Sequence, residues 1–270
     1  MSKKFIVTKD YHESRFDRWF KKKVLDIPQS LIQKIIRKKK IKLNNKKLQS
    51  SDRIKTGDLI KVYDFDRLNV KKKEFKKKNY SPSSKEQKNY EKLILENNDN
   101  FIILNKPSGV PVQGGTKSYK NIIDIIKKTK HFEQSKPFIV HRIDKETSGI
   151  LMVAKNREYA QLLTSLFRIR KVHKTYLSIV YGKVSKNLKV LKSNLINYEN
   201  NKKKIQNALT YIRVLKSNDI FSFVELKPIT GRKHQLRKQL TEIGHPIVGD
   251  KKYFINNIKL IKNTNLFLHA

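Results

Sequence analysis

The stretch Pro137-Phe138-Ile139-Val140-His141-Arg142-Ile143-Asp144-Lys145-Glu146-Thr147-Ser148-Gly149-Ile150-Leu151-Met152-Val153-Ala154 reads as strand, polar loop, strand. Pro137 to Val140 and Ile150 to Ala154 are short apolar runs of the length that buried strands have. Between them sit five ionisable side chains, and Gly149 permits a tight backbone turn. A polar loop pinned at both ends by core strands presents a carboxylate in a fixed geometry. Asp144 is the candidate for that carboxylate. The competing reading is a solvated connection closed by an Asx turn.

Around this loop the chain from about Lys92 onward is rich in strands. Phe101 to Leu104, Ile150 to Ala154, Thr175 to Tyr181, Leu209 to Leu215 and Ile220 to Leu226 are predicted strands. Helices are predicted at Asn121 to Lys128, Arg157 to Phe167 and His234 to Ile243, where apolar residues recur at helical spacing. Strands outnumber helices and the two do not alternate regularly. The expected class is therefore α+β with a mainly antiparallel, mixed sheet rather than a doubly wound fold.

Upstream, residues 14–63 read as a small helix, helix, hairpin module. Phe16, Trp19, Phe20 and Val24 share one helical face. Pro28 breaks the chain, and Ser30 with Gln33 offers a capping box for a second helix whose Leu31, Ile32, Ile35 and Ile36 face inward. Its outer face carries Lys34, Arg37 and Lys38, followed by Lys39 and Lys40, a positive ridge suited to phosphate contacts. Ile41-Lys42-Leu43 reads as a strand, Asn44-Asn45 as a turn and Leu59 to Tyr63 as a further strand. Residues 64–90 contain Val70-Lys71-Lys72-Lys73-Glu74-Phe75-Lys76-Lys77-Lys78, with six lysines, and read as a basic flexible linker to a domain at 91–270.

The whole chain of 270 residues carries 62 Lys and Arg against 23 Asp and Glu, a formal charge of +39. That excess points to a polyanionic partner. Lys, Asn and Ile richness can also reflect a biased genome, so the clustering of charge argues more strongly than its total. No apolar run approaches the roughly 18 residues that span a bilayer, and the apolar run after Met1 is too short for a secretory signal. The expectation is a cytoplasmic, monomeric protein that binds nucleic acid rather than membrane. Cysteine is absent. Disulfides, thiolate metal sites and thiol nucleophiles are excluded together.

Four polar clusters fall within the larger domain. Asn105-Lys106-Pro107-Ser108-Gly109-Val110-Pro111-Val112-Gln113-Gly114-Gly115 follows a strand, but its lysine comes too late, at Lys117, for a P-loop. The Asp144 loop is the second cluster. Lys174-Thr175-Tyr176 heads a strand where the tyrosine can face a cleft or the core. The fourth, Lys227-Pro228-Ile229-Thr230-Gly231-Arg232-Lys233-His234-Gln235-Leu236-Arg237, is a turn feeding a helix, with backbone N–H groups, Arg232 and Arg237 suited to phosphate or carboxylate. Gly244-His245-Pro246-Ile247-Val248-Gly249-Asp250 forms another constrained loop.

Two resemblances emerge from these residues. Arg15-Phe16-Asp17-Arg18-Trp19, Ile35-Ile36-Arg37-Lys38, Ile41-Lys42-Leu43-Asn44 and Gly57-Asp58 resemble the small RNA-binding domain first seen in ribosomal protein S four. The four clusters in their order, together with Gly244-His245-Pro246 and Gly249-Asp250, resemble the RNA pseudouridine synthases that modify ribosomal and transfer RNA. The Gln113-Gly114-Gly115 variant is most similar to the branch acting on large-subunit ribosomal RNA. This second resemblance implies isomerisation of uridine by a catalytic aspartate, at Asp144. It also implies a tyrosine stacked on the target base, at Tyr176, and an arginine paired with the aspartate, best matched by Arg232. Arg142 is implied to lie against RNA, and His234 and Arg237 join Lys34, Arg37 and Lys38 as expected RNA contacts. The family segment matching Leu266-Phe267-Leu268-His269-Ala270 normally continues further, so a terminal strand is expected to be missing.

Uridine and pseudouridine are isomers, so no cofactor, redox partner or metal is expected. Three rival readings compete with this one. An inactive ribosome-assembly factor would leave the Asp144 loop degraded, and it is not. A metallohydrolase would need His141, Asp144, His234 and His245 drawn together, without any zinc spacing in the sequence. A glycosidase using Asp144 and Glu146 suits neutral sugar better than a chain of this charge.

Overall fold

Every third or fourth residue of the first helix is a large aromatic, and this sets the core of the N-terminal part. The computed structural model describes residues 2–68, 80–114, 120–199, 202–256, 258, 261 and 264–270. The chain divides into two compact units, 1–77 and 78–270.

In the first unit β1 (Lys3–Ile6) and β2 (Ser14–Arg15) precede α1 (Phe16–Lys23) and α2 (Gln29–Arg37); β3 (Ile41–Leu43), β4 (Arg53–Ile54) and β5 (Leu59–Val62) follow. Phe16, Trp19 and Phe20 are buried and pack on one another with ring centroids 5.4 to 6.1 Å apart. Each such ring removed from water contributes roughly 1.5–3 kcal/mol. Ile32 and Ile35 of α2 close over them, while Lys34, Arg37 and Lys38 stay exposed on the outer face. Asn44 and Asn45 have positive φ and close the expected turn, with Leu43 and Lys46 exchanging backbone hydrogen bonds.

Three details of this unit differ from expectation. The sheet order is β1-β5-β3, so a strand before residue 14 belongs to the module, and β3 pairs with β5 instead of closing a local hairpin. The Ser30–Gln33 capping box does not form. Pro28 is the N-cap, and its carbonyl accepts from Leu31 and Ile32, which starts the helix earlier than the side-chain signal suggests. Thirdly, the segment 64–90 is not a linker throughout. Asp64 binds Lys40 at 2.7 Å, and Ser84–Glu91 is a helix, α3, capped by Ser83, whose Oγ accepts from the Glu86 N–H. Ser83 and Glu86 have capping-box spacing, and Tyr90 from this helix is buried. The basic run Lys71 to Lys78 lies outside the described residues, as do Gly115 and Lys117.

After α3 the second unit runs β6 (Ile94–Asn97), β7 (Phe101–Lys106), α4 (Ile122–Ile126), β8 (Phe138–Ile139), β9 (Gly149–Ala154), α5 (Arg157–Arg168), β10 (Tyr176–Tyr181), β11 (Val190–Glu199), β12 (Lys202–Ser217), β13 (Phe221–Pro228), α6 (Gln235–Glu242) and β14 (Leu268–His269). They form a four-stranded sheet, β6-β7-β9-β8, and a five-stranded sheet, β11-β12-β13-β10-β14. The fold is α+β, and every pairing of these strands is antiparallel.

Alternation along β9 explains the layers. Leu151 and Val153 face α3 and α4 with Ile102, Leu104, Ile122 and Ile125, whereas Met152 and Ala154 face α5 and Leu163. Leu236 and Leu240 of α6 cover Val180, Leu191, Ile212 and Leu226 of the other sheet. Gln239, fully buried, stitches α6 to that sheet by accepting from Thr210 and donating to the Leu191 and Ala208 carbonyls.

The two sheets meet where Ser148 bridges His269 in parallel. Ser148 N–H donates to Leu268 O, Ile150 N–H to Ala270 O, and Ala270 N–H to Ser148 O, at 2.9 to 3.1 Å. Gly149 takes φ +111 there, and a Cβ at that position would overlap the Ala270 backbone. Residues 268–270 thus form the seam that sets one sheet against the other.

Candidate active site

Asp144 lies on the loop between β8 and β9, and that loop is gripped from the outside. Lys106, at the end of β7, is fully buried and donates to three carbonyls: Pro107 and Val110 of its own loop at 2.8 and 2.9 Å, and Lys145 at 3.0 Å. Gly109 N–H also donates to Lys145 O, and Ser108 Oγ to Glu146 O at 2.6 Å. Burial pushes the Lys106 ammonium down to about 8, against the pull of Glu146 and Asp144. Nothing in the sequence marks this role, because there Lys106 is one residue of a Gly/Pro loop. The two segments clasped by it are 39 positions apart.

Inside the loop, His141 Nε2 accepts from Met152 N–H at 2.9 Å, and its ring stacks on Phe167 at 4.4 Å. Burial, and after it the charge of Lys174, pushes this imidazole down to about 4. Neutral His141 is thus a structural acceptor that fixes the start of the loop on β9. Arg142 is exposed, and Asp144 is part-exposed.

Between the two sheets the loop opens on a cleft of about 370 Å³, lined by Arg142, Asp144, Tyr176, Arg232 and His234 among others. The structure therefore brings Asp144, Tyr176 and Arg232 to one cavity. Tyr176 begins β10 and packs partly against Leu226 and Leu268. Burial first, and the Asp144 charge second, push its phenol up to about 12. The ring keeps its proton and offers an aromatic face.

The arginine expected beside the aspartate is placed differently. Arg232 donates from Nε to Asn207 O of β12 at 3.2 Å, and among the described residues it makes no ion pair. The side chain nearest in charge contact with Asp144 is His234, Nε2 to Oδ1 3.8 Å. His234 adopts φ +54 at the start of α6, which turns the ring inward, and its Nδ1 lies 2.8 Å from the Tyr253 hydroxyl. Burial lowers the affinity of this imidazole for a proton, with Asp144 opposing and Arg237, Lys252 and Lys233 reinforcing the fall. Expected to contact RNA, it lines the cleft beside Asp144.

Arg237, likewise expected to contact RNA, lines the cleft from a buried position. It is 5% exposed, and its guanidinium makes two 2.6 Å bonds to Asp250, which is 2% exposed. Two of its three guanidinium nitrogens are thus committed to Asp250. Burial opposes its charge, the Asp250 bonds restore it, and the field of Asp144 adds to them. Arg237 is thus a permanent charge in the lining of the cleft. The sequence signal for this pair is Gly249-Asp250 in a constrained loop, but nothing local links it to α6. Asp250 Oδ1 further accepts from the Lys252 and Tyr253 N–H groups, which places Tyr253 beside His234.

The remaining candidates separate from this cavity. Lys34, Arg37 and Lys38 stand exposed on α2 of the first unit. His245 Nδ1 is bound at the Tyr181 carbonyl and His141 at Met152, so the four-ligand metal cluster is not assembled; no group of three or more His, Asp or Glu is arranged to hold a metal among the described residues. Within that set no helix is long and apolar enough to cross a membrane.

Comparison with known proteins agrees with this geometry. Residues 100–242 match the family described as RNA pseudouridylate synthase. Over 270 aligned residues the chain is 37% identical to "Ribosomal large subunit pseudouridine synthase C" of Rickettsia felis, covering 95% of this chain and 87% of the relative. The protein of that name from Vibrio parahaemolyticus is 32% identical, with 98% and 85% covered. Among solved structures, "Human RNA Pseudouridylate Synthase Domain Containing 4" superposes with a TM-score of 0.58 at 30% identity, over 68% of this chain and 84% of that one. With a matching family profile over half its length, close relatives along nearly all of it, and an aspartate, tyrosine and basic turn meeting in one cleft, the chain belongs to the RNA pseudouridylate synthase family.

Proposed function

We propose that this protein converts uridine to pseudouridine in large-subunit ribosomal RNA, with Asp144 as the catalytic carboxylate. The reaction breaks the bond from ribose to the base nitrogen, turns the uracil and rejoins it through carbon. The carbon then loses a proton and the nitrogen gains one, so atoms and electrons balance without a co-substrate. Asp144 starts the exchange, by attack on the sugar or base or by removal of a ribose proton. For any of these roles the reacting form is the carboxylate. A uridine that reaches Asp144 has left its stack at a cost of a few kcal/mol, which stacking on Tyr176 and contacts from Arg142 offset.

The observation that carries this reading is the placement of Asp144 on a doubly clasped loop beside Tyr176 in the cleft. The N-terminal unit serves as the RNA-gripping module, its Lys34, Arg37 and Lys38 ridge binding phosphates without reading sequence. We infer a monomer acting in the cytoplasm, where its RNA substrate is assembled into ribosomes. Incubating the protein and Asp144→Asn with large-subunit ribosomal RNA and mapping pseudouridine at single-nucleotide resolution tests the proposal. The expected result is site-specific product with the wild type and none with Asp144→Asn, which still binds RNA. Substantial product from the variant would overturn the assignment of Asp144, and no product from the wild type would overturn the substrate.

A further inference from the structure

We propose that Lys174 forms a phosphate subsite on the cleft wall, holding a phosphodiester of the RNA strand next to the target uridine. This rests on the cleft being the place where RNA is bound. Lys174 lines the cavity two residues before Tyr176 and is half-buried there. Its ammonium lies beside the Gly231 backbone, where a Cβ added to Gly231 would sit 3.9 Å from Nζ.

What marks Lys174 is that no described residue answers its charge. Among the described residues it makes no hydrogen bond and no ion pair, and the same is true of the Arg170 side chain. Lys106 is the contrasting case in the same domain, a buried ammonium met by three carbonyls. Burial, and after it the charge of Arg170, lowers the hold of Lys174 on a proton. A half-buried ammonium at a cleft, without a counter-ion among the described residues, is a group that an arriving anion stabilises. In a cavity that takes a nucleotide at Asp144 and Tyr176, that anion is the diester of the strand itself.

The test uses a short single-stranded RNA with one target uridine, and a series in which one linkage at a time is a neutral methylphosphonate. The wild type and Lys174→Met are compared, with Lys174→Arg as the conservative control. One linkage beside the target is expected to weaken wild-type binding about tenfold when neutralised, and to have no such effect in Lys174→Met. The slope of log affinity against log salt should fall by about 0.7 in Lys174→Met and recover in Lys174→Arg. The proposal is overturned if no linkage is coupled to Lys174 or if the salt slope is unchanged. It is also overturned if Lys174→Met lowers the melting temperature of the RNA-free protein by several degrees, since an ammonium without partners does not hold the fold. Conversion of the target by the wild type is scored separately. Conversion without a coupled linkage sinks the subsite alone, and a coupled linkage without conversion sinks the reading of the reaction alone.

Discussion

His234 Nε2 stands 3.8 Å from Asp144 Oδ1, while Nδ1 of the same ring is 2.8 Å from the Tyr253 hydroxyl. The imidazole is thus anchored at the Tyr253 end and faces the carboxylate at the other, and burial weakens its hold on a proton. It orders the site without supplying a fixed charge. The permanent cation is Arg237, three residues beyond His234 and locked to Asp250.

Breaking that lock should be costly. Arg237→Met leaves the Asp250 carboxylate buried and unpaired, and is expected to lose about 3–5 kcal/mol of stability. Arg232→Ala removes one hydrogen bond at a partly exposed position and should cost about 1 kcal/mol or less. Urea unfolding of both variants measures the contrast. Equal losses would mean that the Arg237–Asp250 pair does not organise this end of the domain.

Lys106→Met keeps the length of the side chain and strips donors from three carbonyls. About 3 kcal/mol of destabilisation is expected, together with a drop of about a hundredfold in single-turnover rate as the Asp144 loop loosens. RNA affinity should change little, because Lys106 is fully buried. A rate within twofold of wild type would refute the clasp.

Gly149→Ala tests the seam between the sheets. At φ +111, with the Ala270 backbone in the way, the substitution is expected to cost about 3 kcal/mol or more. Hydrogen exchange in residues 266–270 should quicken. Gly57→Ala is the control, since φ is +86 but the space around it is open. Strain alone there should cost about 1–2 kcal/mol.

His141 makes stability depend on acid. Its folded affinity for a proton, pushed down to about 4, lies below the ordinary value of 6.5. Between those pH values the unfolded chain binds the proton and the folded one does not. Stability is therefore full above pH 6.5 and is lost as pH falls toward 4, by at most about 3 kcal/mol from this residue. His141→Gln should flatten that limb in thermal melts taken from pH 7 to pH 4. An unchanged limb would assign the acid sensitivity to other groups.

Local signals in the sequence carry most of the fold. Alternation in 101–106 and 149–154, and helical spacing in 157–168 and 235–242, are short-range patterns that survive folding unchanged. The pinned loop around Asp144 and the position of Tyr176 at the head of β10 are legible for the same reason. Lys106 is not, because its meaning depends on Lys145, and neither are the inward turn of His234 nor the Arg237–Asp250 pair. The pairing of β1 with β5 and the seam between Ser148 and residues 268–270 span about 55 and 120 positions respectively. Sequence by itself determined which segments are strands, which loop is constrained and which carboxylate it carries. Only the tertiary structure decided which side chains stand near that carboxylate and which are committed elsewhere, because charge pairing in a protein is settled by burial and distance between elements, and neither is written in the spacing of residues along one chain.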